Sequence, residues 1–122
     1  MRDIITRVCE WNEARYEPIE NPILTLRLLT EELDEYFQAQ CEANDVDKAD
    51  ALIDIIYVAI GAMWKMGLTT KQIADAIHVV CDSNDSKTAT KTASHIKANI
   101  DKGAGFIAPE PRLQEILDDR QN

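Results

Sequence analysis

The stretch that decides the fold is Ala49–Ala62, ADALIDIIYVAIGA. From Leu52 onward it is apolar on nearly every side, so it reads as a core helix buried on all sides, more than four short helices can cover in a monomer, which supports association. The apolar run ends at Trp64 and is too short to span a membrane. Asp50 and Asp54 lie four residues apart and so share one helix face. A carboxylate among such neighbours costs several kcal/mol unless it is paired or protonated. A cationic partner is therefore expected at Asp54. A Lys or Arg, a capping Tyr such as Tyr57, and a divalent metal are the alternatives.

Working outward, the sequence predicts four helices joined by short connections. The first covers about Asp3–Tyr16, with Ile4, Ile5, Val8 and Trp11 at helical spacing and Pro18 and Pro22 as stops. The second covers about Leu24–Cys41, with an apolar stripe of Leu26, Leu29, Leu33, Tyr36 and Phe37. Glu42–Asp47 is the expected turn, and the third helix runs over about Lys48–Met66 to a C′ glycine, Gly67. Thr69-x-x-Gln72 opens the fourth as a capping box, followed by Ile73, Ala76, Ile77 and Val80. Cys81–Ser94 reads either as a helix extension or as irregular chain. Lys97–Pro111 reads as a loop and Arg112–Asp119 as a short terminal helix. Strand signals are absent, so the expected class is all-α, a four-helix bundle in a single domain over 1–122.

Composition narrows the partners. Among 122 residues, 45 % are hydrophobic and 29 % charged, with four glycines and four prolines, which suits a helical globular domain. The net charge of −9 argues against nucleic acid or an anionic membrane as partner. The three cysteines, Cys9, Cys41 and Cys81, show no CxxC spacing, and no secretory signal opens the chain. A cytoplasmic location is the expectation. His78 reads as structural, and His95 has no partner that would make a catalytic arrangement.

The second helix carries its own acidic cluster, Glu31, Glu32 and Glu35 in TEELDE. Alone, this is better explained by a solvated helix face. Opposite Asp50 and Asp54 in an antiparallel pair, Glu32 and Glu35 would complete an oxygen cage of the kind Mg²⁺ prefers, with positions left for substrate phosphates. Trp11 is a candidate to stack on a base, although an aromatic at this spacing is more often a core residue. Arg15 and Arg27 are candidates for phosphate contact or for solvent.

These elements resemble a known family, the all-α nucleoside triphosphate pyrophosphohydrolases, which include MazG-like enzymes, dimeric dUTPases and phosphoribosyl-ATP pyrophosphohydrolases. Glu31-Glu32-Leu33-Asp34-Glu35 is similar to its EExxE element. Asp50-Ala51-Leu52-Ile53-Asp54 lacks a strict ExxD and looks like the DxxxD form of the phosphoribosyl-ATP-pyrophosphohydrolase-like branch. Val8–Ala14 resembles that branch's opening helix, Ser83-Asn84-Asp85-Ser86-Lys87 its SNxxK element, and Lys102-Gly103 with Pro109 its closing segment.

The resemblance implies Mg²⁺-dependent hydrolysis (Mn²⁺ as substitute) of a nucleoside triphosphate between the α and β phosphates. It implies Glu32, Glu35, Asp50 and Asp54 as metal ligands, and Glu31 as a further ligand or as the group orienting water. Asn84, Lys87 and Lys102 would contact substrate, in a homodimer or homotetramer with composite sites. Phosphoribosyl-ATP is the rival substrate. A non-catalytic acidic helical interaction protein is the rival of another class.

Overall fold

The computed structural model describes residues 2–90 and 99–120, with side chains over 2–87 and 102–120; His95 lies outside the described residues. The helical class is as expected. The described elements are α1 (Ile4–Glu13), α2 (Pro22–Cys41), α3 (Asp45–Lys65), α4 (Thr70–Asp85), β1 (Thr88–Thr90), β2 (Asn99–Asp101) and α5 (Glu110–Asp118). The described residues divide into two compact units, one over 2–73 and the other from 74 to 120.

Local chemistry sets the helix ends. Asp3 caps α1, its carboxylate accepting from Thr6 N and Thr6 Oγ1 at 2.9 Å each. The helix stops at Glu13, three residues short of the expected Tyr16, and Arg15 N and Tyr16 N both donate to Asn12 O beyond its end. Pro22, read from sequence as a stop, instead starts α2: Asn21 caps the helix through Leu24 N at 3.1 Å and Pro22 takes the first helical position. Asn44 caps α3 through Asp47 N at 3.0 Å, so α3 begins earlier than expected and the turn from α2 shrinks to Glu42–Asn44. Ala43 there adopts a left-handed φ of 52°. Gly67, at φ 94°, ends α3 as its glycine signal indicated. The capping box at α4 forms reciprocally, Thr69 N to Gln72 Oε1 at 3.0 Å and Gln72 N to Thr69 Oγ1 at 3.1 Å.

In the first unit α2 packs along α3, and α1 packs on α3. Val8, Cys9, Ala39, Ala51, Ile60, Leu68 and Ile73 are buried. In the single chain α3 leaves Leu52, Ile53 and Ile56 exposed. Of the apolar stripe on α2, Leu26, Leu33 and Phe37 are exposed, while Leu29 and Tyr36 are half-buried. Three helices cover only part of so much apolar surface.

In the second unit α4 continues to Asp85, resolving the Cys81–Ser94 alternatives in favour of helix as far as that residue. A further correction follows: β1 and β2 pair antiparallel, Thr88 with Asp101, Ala89 with Ile100 and Thr90 with Asn99, where no strand was expected. Three-residue strands are too short for an alternating pattern to show. The unit is held by Arg112–Asp82 at 3.2 Å and by Ser86 Oγ, which accepts from Ile107 N at 2.8 Å. No single helix among the described residues is long and apolar enough to cross a membrane.

Candidate active site

The short turn after α2 folds α3 back along it, so the two acidic clusters meet. Glu32 and Glu35 from α2 and Asp54 from α3 each bring a carboxylate oxygen within 4.8 Å of the others. Glu32 and Asp54 are half-buried and Glu35 is exposed. Glu32 Oε2 is buried and has no hydrogen-bond partner. Burial, then the Glu35 carboxyl and the charges of Asp54, Glu35 and Asp50, push the Glu32 pKa up to about 7. Burial, followed by the charges of Asp50 and Glu35, also raises that of Asp54.

Among the described residues no Lys or Arg forms an ion pair with these three carboxylates. Tyr57, the alternative cap for Asp54, packs its ring edge-on against Trp11 at 5.7 Å. What surrounds Asp54 is more negative charge, a set of hard oxygen donors with one buried oxygen left over. Such a set suits Mg²⁺ or a shared proton.

The other expected site residues fall in different places. Asp50 stands outside the three-carboxylate group but contributes its charge to both Glu32 and Asp54, and with Glu35 it lines a small hollow of about 230 Å³. Glu31 is exposed and not part of the group. Asn84, Lys87 and Lys102 belong to the second unit. There Asn84 Oδ1 accepts from Lys87 Nζ at 3.0 Å, and Lys102 Nζ stands 5.1 Å from the centre of the Phe106 ring.

Beside the carboxylates lies a hollow of about 380 Å³. Glu32 and Asp54 form part of its wall, and Trp11, Asn12, Tyr16, Tyr57, Gly61 and Lys65 form much of the rest. Trp11 is 39 % exposed. Arg15 stacks on it with Cζ 4.3 Å from the ring centre.

Two residues here escape sequence reasoning. Asn12 is 3 % exposed, with Nδ2 donating to Val8 O at 2.9 Å. Lys65 is 6 % exposed, its ammonium 3.9 Å over the Tyr16 ring, and burial lowers its pKa. A lysine in the last turn of a helix ordinarily reads as a solvated complement to the helix dipole. Its burial depends on Tyr16, brought in by the segment after α1, and no local pattern announces that.

Searches of curated proteins and of solved structures gave no significant match. The profile of the phosphoribosyl-ATP pyrophosphohydrolase family matches residues 1–79, a span that contains both acidic clusters and the hollow beside them. That span is most of the chain, and the protein thus belongs to the phosphoribosyl-ATP pyrophosphohydrolase family, within the all-α nucleoside triphosphate pyrophosphohydrolase superfamily.

Proposed function

We propose that this protein hydrolyses a (deoxy)nucleoside triphosphate between the α and β phosphates in a Mg²⁺-dependent reaction, releasing a monophosphate and pyrophosphate. Family membership supports a nucleotide pyrophosphohydrolase-type activity. The finer reading is carried by one observation: desolvated carboxylates from α2 and α3 converge on the wall of an aromatic hollow.

Glu32, Glu35 and Asp54, with Asp50 beside them, would hold Mg²⁺, or Mn²⁺ in its place. Bound there, the ion supplies neutralisation of phosphate charge and polarisation of the bond to be broken. The chain's own groups do the rest. Glu31, exposed next to Glu32, orients the attacking water. Trp11 and Tyr57 present ring surface to the base, and the apolar wall from Leu28 and Val58 excludes bulk water. Asn84, Lys87 and Lys102 are retained as substrate contacts on the motif alone, serving this chain's site or a neighbour's.

The exposed apolar side chains of α2 and α3, Leu33, Phe37, Leu52, Ile53 and Ile56, support association into a homodimer or homotetramer. The net charge of −9 argues against nucleic acid or an anionic membrane as the main partner.

The test is incubation with each NTP and dNTP, with and without Mg²⁺, and separation of products. Monophosphate plus pyrophosphate, formed only with metal, is expected; diphosphate plus orthophosphate would overturn the bond assignment. A second reading, phosphoribosyl-ATP as substrate, is favoured by the name of the matching family and involves the same bond. The same assay with that compound decides it. A non-catalytic acidic binding module would yield no product from any of these compounds, and half-burial of Glu32 and Asp54 argues against it, since a charge mimic needs its carboxylates in solvent.

A further inference from the structure

The end of the hollow away from the carboxylates carries a chemistry of its own. Lys65 is buried, and among the described residues no carboxylate pairs with it. Glu17 and Glu20 border a smaller hollow on another side of it, yet neither forms an ion pair with it. Its ammonium lies 3.9 Å from the centre of the Tyr16 ring. An ammonium held this way has hydrogen-bond donors to spend and little protein oxygen to spend them on. Asn12 lines the same hollow. Its Nδ2 is committed to the Val8 carbonyl, which fixes the orientation of the amide and leaves Oδ1 as an acceptor.

We propose that Lys65 and Asn12 make this hollow selective for a nucleobase that sets a ring carbonyl beside a ring N–H, as uracil, thymine, guanine and hypoxanthine do. The inference rests on the hollow being the nucleotide site. Lys65 donates to the carbonyl oxygen and Asn12 Oδ1 accepts from the ring N–H. Cytosine and adenine invert both partners, placing an amino group against the ammonium and a lone pair against Oδ1. Mismatches of this kind in a desolvated site are costly, because buried groups on both sides stay unpaired.

The placement suits the phosphates at the carboxylates. Asp54 and Lys65 are roughly 16 Å apart along α3 at 1.5 Å per residue, and helical side chains lean toward the N-terminus, shortening that span. A hollow of about 380 Å³ is at the small end of ligand sites, right for a base and its sugar. Gly61, one turn before Lys65, leaves the Asn12 amide its room.

The experiment is calorimetric titration of the Mg²⁺-supplied protein with UMP, IMP, CMP and AMP, repeated for Lys65→Met and Lys65→Gln. In parallel, kcat/KM is measured for the matching triphosphates. The wild type should bind UMP and IMP roughly tenfold or more tighter than CMP and AMP. Lys65→Met should lose most of that ratio, and Lys65→Gln, which keeps a donor, should retain part of it. Equal affinity for UMP and CMP, which are nearly isosteric, overturns the proposal even if the variants fail to fold, as does an undiminished ratio in Lys65→Met. Triphosphate hydrolysis without base preference sinks the selectivity and leaves the hydrolase standing. Preferential binding of UMP with no hydrolysis of any compound does the reverse.

Discussion

A Cβ placed on Gly61 would stand 2.9 Å from both Nδ2 and Oδ1 of Asn12. No side chain tolerates that approach without something moving, and Asn12 is 3 % exposed and tied to Val8. Alanine in mid-helix is favoured over glycine by about 1 kcal/mol. Overpacking a buried site costs about 1–3 kcal/mol. Gly61→Ala should therefore lower stability by about 1 kcal/mol in urea unfolding, and Gly61→Ala with Asn12→Ala should lose less than the sum of the two single losses. Strict additivity would show that the amide is not what the methyl meets.

The three carboxylates oppose one another in the chain alone. Asp54→Asn removes one of the like charges, so the metal-free variant should melt at a higher temperature than the metal-free wild type, with unchanged helical circular dichroism. The same change should cut turnover by about three orders of magnitude or more, as expected for a group acting on transition-state charge, and should abolish the Mg²⁺-induced rise in melting temperature. A variant with wild-type activity would remove Asp54 from the proposed ligand set.

How far the residue pattern carried the reading is clearest at this cluster. The i,i+4 spacing of Asp50 and Asp54 and the i,i+3 spacing of Glu32 and Glu35 placed each pair on one face, and the helix pairing brought them together. The pattern gave no reason why Asp50 should stand outside the closest group, because that depends on the register of α3 against α2. The Asn44 cap starts α3 at Asp45, and the packing of the two helices sets the rest. Lys65 and Asn12 were invisible for a related reason: their burial comes from contacts between segments, Tyr16 over Lys65 and Gly61 beside Asn12. Pro22 shows a local ambiguity, since proline can end one helix or begin the next, and only the Asn21 cap decides.

Glu32 supplies a pH dependence with a definite sign. Its pKa is raised to about 7 in the folded protein from the ordinary 4.5, so the folded state holds this proton more tightly than the unfolded chain does. That contribution to stability is present in full below pH 4.5 and is lost as pH rises through about 7. Asp54 shifts in the same direction. Around these groups the metal-free protein should be more stable at pH 5.5 than at pH 8. Mg²⁺ competes with the proton, so its affinity should climb over the same interval with proton release on binding. Calorimetry in buffers of different ionisation enthalpy reads that release, and a Mg²⁺ affinity flat from pH 5.5 to 8 would rule out Glu32 as a ligand.

The last expectation concerns the uncovered apolar surface. Phe37 is 68 % exposed and Leu33 57 % exposed on α2, separated by one helical turn. In an isolated chain Phe37→Asp would replace a solvent-facing ring and change stability by no more than about 0.5 kcal/mol. In an associated protein the same change buries a carboxylate in an apolar interface, which costs several kcal/mol and drives the subunits apart. Light scattering coupled to size-exclusion chromatography should therefore show a multimer for the wild type and a lower mass for Phe37→Asp, with a fall in melting temperature. Because α2 also carries Glu32 and Glu35, loss of the partner helix should reduce turnover as well. A wild type that elutes as a monomer at micromolar concentration would leave this face without the partner proposed for it.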